Sequence, residues 1–277
     1  MDLTGKTYEL RRDIIEMIYR SGAGHVGGDL SVIDILATLY FRIMNVTPEN
    51  FSDGNRDRFL LSKGHCVDAL YMVLGERGFF DKEEAKSTFS AYHSRYIGHP
   101  NMEVPGIEIN TGSLGHGLAL GVGMALAAKM DNKSYRTYVV CGDGEMEEGS
   151  NYEAMMAASH YRLDNLCATV DVNRLQISGS TQEVMDGGDI GARFRTFGWN
   201  VIEVSDGNDC GQLEEAYRLA QSYQGRPSAV IANTVKGKGV SFMEDRKEWH
   251  HGILSREQYE SAVRELTKKA ERRREAV

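Results

Sequence analysis

The stretch that most constrains the fold is two apolar runs joined by a Gly-Asp-Gly turn and a helical segment. Residues 135–140 are rich in β-branched and aromatic side chains, which predicts a buried strand that ends at the turn 142–144. Residues 166–172 predict the next strand, and Asn173 follows it directly. A strand–helix–strand unit holds its strands parallel in one sheet, so Asp143 and Asn173 are expected at the same sheet edge.

Oxygen ligands at the ends of two such strands suit a hard divalent cation that carries a diphosphate. The Asp143 carboxylate, the Asn173 amide oxygen and the Leu175 carbonyl would supply three protein ligands for magnesium. A Gly-Asp-Gly turn alone is also a common strand ending, and Asn is a common turn residue. The asparagine after the next parallel strand is what favours the metal site.

The rest of the chain alternates predicted helices and strands. Helices are predicted over 3–20, from 31, over 68–74, 118–130, 209–223 and 255–275, and strands over 58–62, 200–204 and 228–234. This alternation predicts one α/β domain over 1–277, a doubly wound, mostly parallel sheet with helices on both faces.

Several local signals refine this prediction. Ser31 is expected to cap the second helix, and Ser150 with Glu153 has the spacing of a capping box. The Ala- and Gly-rich segment 118–130 suits a tightly packed buried helix, and 179–191 is expected to be a loop.

Charge and cysteine content exclude several classes of protein. A net charge of −8 argues against binding to nucleic acid or to an anionic membrane. No apolar run approaches the length of a membrane span, and the start of the chain does not resemble a signal peptide. The four cysteines have no close pairing and are expected to be reduced core thiols of a cytoplasmic protein: Cys66, Cys141, Cys167 and Cys210.

Four of the eight histidines directly follow a glycine: His25, His65, His99 and His116. Each could be an ordinary loop residue, but four on separate Gly-rich loops of an α/β domain suggest a cleft lined with imidazoles. A zinc site is the first alternative. Zinc ligands usually include a short-spaced Cys or His pair, and only the adjacent His250 and His251 qualify here.

Taken together, the glycine- and histidine-containing motifs resemble those of thiamine-diphosphate enzymes. Within that superfamily, nearly the whole chain is similar to the N-terminal, diphosphate-binding domain of transketolase. The similar stretches are 24–31, 61–65, 98–100, 111–117, 142–173 and 249–252.

The resemblance implies the thiamine-diphosphate-binding fold, with thiamine diphosphate and Mg²⁺ as cofactors and Ca²⁺ or Mn²⁺ as possible substitutes for the metal. It implies metal ligation by Asp143, Asn173 and Leu175, with His65 at the diphosphate and Leu114 and Ile177 against the thiazolium ring. The other implied cofactor contacts are Gly112, Ser113, Gly142, Gly144, Glu145 and His251.

The resemblance also implies that histidines hold the hydroxyl groups of a ketose donor and move protons. These would be His25, His99 and either His250 or His251, with His251 preferred because it precedes Gly252. His116 stands where transketolases commonly carry Gln, and its role is left open.

The family also implies a partner, because its pyrimidine-binding and C-terminal domains find no counterpart here. We therefore expect one half of a split transketolase, paired with a C-terminal subunit in an α2β2 heterotetramer that acts on sugar phosphates. Glu148 and Glu153 resemble glutamates that link paired active sites in this family, although Glu153 could simply cap a helix. The alternatives are the α chain of a 2-oxo acid dehydrogenase, a deoxyxylulose-phosphate synthase, a transketolase for branched or sulfonated sugars, and a non-catalytic binding module.

Overall fold

A parallel five-stranded sheet forms the centre of the part of the chain that the computed structural model describes, residues 2–275. Its strands are β1 (Arg58–Leu61), β2 (Thr137–Gly142), β3 (Leu166–Val172), β4 (Asn200–Val204) and β5 (Ser228–Asn233). They lie in the order β1-β2-β3-β5-β4, and every neighbouring pair is parallel. The predicted parallel α/β sheet is confirmed. Met1, Ala276 and Val277, the ends of the predicted domain 1–277, lie outside the described residues.

Ten α-helices connect or flank these strands within residues 2–275. They are α1 (Leu3–Ser21), α2 (Val26–Thr38), α3 (Val67–Glu76), α4 (Lys82–Thr88), α5 (His116–Met130), α6 (Gly149–His160), α7 (Thr181–Met185), α8 (Ile190–Thr196), α9 (Cys210–Ser222) and α10 (Arg256–Glu275).

Alternating side chains of each strand pack on opposite faces of the sheet. Tyr138 and Val140 belong to a core with α1, α2, α3 and α9, whereas Val139 and Cys141 belong to a second core with α5, α6 and α8. The prediction of helices on both faces is therefore confirmed. Continuous burial of β2 explains why its sequence reads as an unbroken apolar run.

Two of the capping predictions are wrong. Ser31 lies inside α2, which begins at Val26, and its Oγ donates to the Gly28 carbonyl. Gly27 and Gly28 therefore lie within the helix, where glycine allows close packing against other segments. A Cβ at Gly27 would lie 2.6 Å from the Trp249 carbonyl oxygen, and one at Gly28 would lie 2.7 Å from Cys66 Sγ.

The expected capping box at the start of α6 does not form either. Glu148 is the N-cap, and the Ser150 hydroxyl donates instead to the Gly115 carbonyl at 2.8 Å. A bond to the neighbouring loop therefore takes the place of the local cap and ties α6 to α5.

Three other expectations are corrected. The α5 helix is buried on one face only, since Leu120 and Met130 are exposed. The segment 179–191, expected to be a loop, contains α7 with a complete Ser180–Glu183 capping box. The predicted helices leave residues 75–117 without a helix, but this segment contains α4.

The burial of the cysteines agrees with the prediction of core thiols. All four cysteines are buried and unbridged. Among the residues that the structure describes, no helix has both the length and the apolar character needed to cross a membrane.

Candidate active site

A cavity of about 680 Å³ opens at the carboxyl ends of the strands. Residues that follow β1, β2, β3 and β5 all contribute to its wall, as expected for a ligand site of a parallel α/β sheet. The predicted site residues in this wall are His25, His65, His99, Gly112, Leu114, Gly142, Asp143, Gly144, Glu145, Asn173, Leu175, Ile177 and His250. Ser113 and His251 are adjacent in sequence to wall residues but are not part of the wall.

Asp143 and Asn173 lie at neighbouring strand ends, because β2 and β3 pair in a register that sets Gly142 opposite Asp171. Asp143 accepts from the backbone N–H of Gly144 and of Arg174, so its carboxylate already bridges the two strand ends. Burial, followed by the nearby charge of Asp171, raises the pKa of Asp143 to about 6. A cation placed here would counter that raised pKa.

Glu145 clamps the turn rather than facing the cavity with a free carboxylate. Its carboxylate accepts from the N–H of Gly142 and of Gly115 and from the hydroxyl of Ser62. These bonds join the end of β1, the Gly-Asp-Gly turn and the loop that carries Leu114. Glu145 was predicted as a cofactor contact. In the structure its carboxylate instead holds together the loops that form the cavity wall.

Two buried lysines lie near the oxygens that were expected to bind a metal ion. Lys63 forms a buried ion pair with Asp171, and although burial alone would lower the pKa of Lys63, the Asp171 charge raises it. Lys236 is 1% exposed and donates to the Leu175 carbonyl at 3.0 Å. Within residues 2–275, no carboxylate lies within ion-pair distance of Lys236.

The uncompensated charge of Lys236 is costly to bury. Burial, with the charge of Lys63 next, lowers the pKa of Lys236. An anion in the cavity would offset both the cost of burying this charge and the lowering of the Lys236 pKa. The wall therefore provides oxygen ligands for a cation and, in Lys236, a positive charge for an anion. This pairing matches a metal-bound diphosphate.

Four imidazoles line the cavity, and a fifth, that of His251, adjoins them. The ring centroid of His25 lies 5.3 Å from that of His65, 6.3 Å from that of His99 and 4.7 Å from that of His251. His250 stacks on His65 with centroids 5.4 Å apart. The structure therefore brings together three of the four glycine-following histidines.

His116 does not join this group. It begins α5, is exposed, and its Nδ1 lies 3.3 Å from Ser113 Oγ. The prediction that all four glycine-following histidines line one cleft is wrong for His116. The fourth histidine that lines the cavity is His250. Within the described residues, no group of three or more His, Cys, Asp or Glu side chains is arranged to bind a metal by itself.

The imidazoles of the cavity wall are neutral at pH 7. Burial, followed by the charge of His251, lowers the pKa of His25 to about 4, and burial with the charge of Lys236 lowers the pKa of His250 to about 3. Burial also lowers the pKa of His65 and of His99. Each neutral ring can donate at one nitrogen and accept at the other, which is what proton transfer to and from hydroxyl groups requires.

The sequence prediction missed several wall residues. Lys63 and Lys236 were not singled out, because a lysine in a loop is ordinarily exposed. Gln176 and Glu147 were missed as well; the Gln176 amide donates to the Glu147 carboxylate at 3.1 Å beside Gly144. The one available signal was the Val235-Lys-Gly-Lys-Gly239 loop directly after a strand.

Comparison with known proteins identifies the family. The family model described as "Transketolase, thiamine diphosphate binding domain" matches residues 7–272. The chain belongs to the transketolase family.

Its relatives include separately named transketolase subunits. The chain is 50% identical over 262 residues to a subunit of the apulose-4-phosphate transketolase of Phocaeicola vulgatus, covering 95% of this chain and 92% of that protein. It is 41% identical over 269 residues to the 6-deoxy-6-sulfo-D-fructose transketolase subunit SqwG of Clostridium sp., covering 97% of each.

Solved transketolase structures share the fold. Transketolase from Campylobacter jejuni superposes with a TM-score of 0.90 at 30% identity, over 96% of this chain and 43% of that one. The transketolase match decides against the 2-oxo acid dehydrogenase and deoxyxylulose-phosphate synthase alternatives.

Proposed function

We propose that this chain is the cofactor-binding subunit of a two-chain transketolase that transfers a two-carbon ketol unit from a ketose phosphate to an aldose phosphate. The observation that carries the proposal is the composition of one cavity wall. The same wall contains Asp143, Asn173, the unpaired cation of Lys236 and the neutral imidazoles of His25 and His250.

The described residues fit a metal ion and thiamine diphosphate. Asp143, Asn173 and the Leu175 carbonyl would hold Mg²⁺, for which Ca²⁺ or Mn²⁺ could substitute. His65 and Lys236 would donate to the diphosphate, and the exposed side chains of Leu114 and Ile177 would cover the thiazolium ring. When bound, thiamine diphosphate supplies the electron sink that lets the bond beside a ketose carbonyl break.

The chain's own histidines would handle the sugar. His25 and His99 lie on different loops and can hydrogen-bond a donor carbonyl and its neighbouring hydroxyls. His250, which lines the wall, is the better placed of the two adjacent histidines to accept or return a hydroxyl proton. His251 would contact the sugar only at the rim, since it is exposed beside His25.

A partner chain would complete the site. The chain corresponds to 43% of the Campylobacter jejuni transketolase, and its 50%-identical relative is named as one subunit of its enzyme. We propose a C-terminal transketolase subunit that supplies the pyrimidine-binding domain, in a cytoplasmic α2β2 heterotetramer. Glu148 and Glu153 are exposed on the α6 side of the cavity and remain our predicted link between paired sites.

A second candidate is a transketolase for an unusual sugar. The relatives at 50% and 41% identity are named for apulose 4-phosphate and for a sulfonated fructose. The same cavity wall serves either function, because the family's sugar-phosphate contacts are expected largely on the partner. A panel of xylulose 5-phosphate, an apulose phosphate and 6-deoxy-6-sulfofructose as donors separates the two candidates.

Cofactor binding and assembly test the proposal before any substrate is chosen. Thiamine diphosphate with Mg²⁺ would be titrated into this chain, into the C-terminal transketolase chain proposed as its partner and into their mixture. We expect tight binding in the mixture, together with a mass that corresponds to two copies of each chain. Absence of cofactor binding in a stable mixture would contradict the proposal and support the non-catalytic alternative.

A further inference from the structure

Two buried carboxyl groups lie directly behind His25, outside the cavity wall. Asp29 is in the first turn of α2 and Asp68 is in the first turn of α3, and both side chains are 0% exposed. The two helices pack against each other, which sets the carboxyl groups side by side.

One carboxyl oxygen of each aspartate has no hydrogen-bond donor. Asp29 Oδ1 accepts from the Ala69 N–H at 3.2 Å, and Asp68 Oδ2 accepts from the His25 N–H at 3.3 Å. Asp29 Oδ2 and Asp68 Oδ1 are buried with no donor among the described residues. The two side chains are neighbours, because Asp29 accepts from the residue directly after Asp68 and both aspartates bond to the backbone of His25. Two carboxylates can only accept, so a bond between them requires a proton on one.

The surroundings favour one negative charge rather than two. The nearby cation, Lys63, is already paired with Asp171. The other ionisable groups facing the pair are neutral: His25, Cys66, whose pKa is raised by burial, and Tyr71, whose hydroxyl donates to the Ile97 carbonyl. The N-termini of α2 and α3 stabilise a single charge.

The acidities of the two groups agree with a single charge. Burial raises the pKa of Asp68 to about 7. Burial, followed by the charge of Asp68, raises the pKa of Asp29 well above its ordinary value.

We propose that Asp29 and Asp68 share one proton and act as a positioning pair that fixes the backbone of His25 at the cavity wall. Gly24 shows how closely the loop rests on the pair, since its φ is +143° and a Cβ there would lie 2.5 Å from Asp68 Oδ2. The pair therefore sets where the His25 ring enters the cavity. The shared proton does not depend on the proposed function, whereas the effect on catalysis rests on that function.

Infrared difference spectroscopy of the full chain at pH 7.5 tests the shared proton. We expect a protonated-carboxyl C=O band in the unmodified protein that disappears in Asp29→Asn and in Asp68→Asn, because an amide can donate in place of the acid. Asp13→Asn is the matched control, since Asp13 is a buried carboxylate paired with Lys82 and Lys86. Persistence of the band in both pair variants, or its loss in the control, would overturn the shared proton.

Positioning is tested by comparing Asp68→Ala with Asp68→Asn. We expect amide hydrogen exchange at His25 to be at least tenfold faster in the alanine variant, with the asparagine variant close to the unmodified protein. In the assembled enzyme, Asp68→Ala should lower kcat with little change in thiamine diphosphate affinity, and Asp68→Asn should restore most of the loss. Equal exchange in both variants would overturn the positioning role. A confirmed band and exchange pattern without any ketol transfer would instead count against the proposed function alone.

Discussion

The imidazole rings of His65 and His250 stack with centroids 5.4 Å apart and planes inclined by 21°. This contact joins the loop after β1 to the segment after β5, and it sets which of the two adjacent histidines faces the cavity. His250 is part of the wall, whereas His251 is exposed and its ring lies beside that of His25.

The stacking therefore predicts unequal roles for the adjacent histidines. His250→Ala should lower kcat for ketol transfer by about 100-fold or more, the usual effect of losing a positioned acid–base group. His251→Ala is the matched control and should cause a much smaller loss. Steady-state kinetics of the assembled enzyme would measure both, and the opposite ranking would restore His251 as the active histidine, as its place before Gly252 suggested.

Lys236 should contribute mainly to cofactor affinity. Lys236→Met keeps the apolar length of the side chain but removes the unpaired charge that faces the cavity. Hydrogen bonds to charged groups are worth about 1.5–3 kcal/mol, so thiamine diphosphate should bind about 10- to 150-fold more weakly. Lys238→Met in the same loop should bind normally, because Lys238 does not line the cavity. Equal affinities in a cofactor titration of the two variants would remove Lys236 from the diphosphate site.

His25 should make the protein less stable in acid. Unfolded histidine titrates near pH 6.5 and folded His25 near pH 4, so between these values the unfolded chain binds the extra proton. Stability therefore falls as the pH falls through this window.

The measurement is the free energy of unfolding by urea at several pH values from about 4 to 6.5, the window set by the two pKa values. His25→Gln should lose less stability on acidification than the unmodified chain, and exposed His160→Gln should follow the unmodified chain. An unchanged pH dependence in His25→Gln would show that His25 is protonated alike in both states.

Glu145 should matter for stability as well as for the site. In Glu145→Gln an amide NH₂ replaces one carboxylate oxygen and confronts a donor from Gly142, Gly115 or Ser62. A buried donor left without an acceptor costs about 1–3 kcal/mol, so the free energy of unfolding should drop by that amount. Exposed Glu153→Gln provides the control. A stability loss of the same size in both variants would show that the three hydrogen bonds to Glu145 make no specific contribution to the free energy of unfolding.

The sheet and its ligand edge could be predicted because they depend on local signals. Apolar runs located the strands, and parallel pairing placed Asp143 beside Asn173 without knowledge of side-chain packing. The histidine cleft was predicted in outline for the same reason, since Gly-rich loops after strands converge on one edge.

What the sequence could not show depends on tertiary packing. Gly27 and Gly28 precede the expected start of the second helix, but they lie in α2. Glycine is needed there because Trp249 and Cys66, distant in sequence, leave no room for a Cβ. The sequence around Lys236 is typical of an exposed loop, yet its side chain is buried. His116 follows a glycine as the cavity histidines do, but it does not line the cavity. The Asp29–Asp68 contact likewise joins two helices whose packing no local pattern specifies.

Ketol transfer from xylulose 5-phosphate to ribose 5-phosphate, with thiamine diphosphate and Mg²⁺, tests the central claim most directly. The assay would compare this chain alone, its C-terminal partner alone and their mixture, with the donor panel replacing xylulose 5-phosphate where needed. We predict transfer only in the mixture, abolished by Asp143→Ala and retained by Asp131→Ala, which alters an exposed residue after α5. Transfer by this chain alone, or transfer that survives Asp143→Ala, would contradict the proposed function.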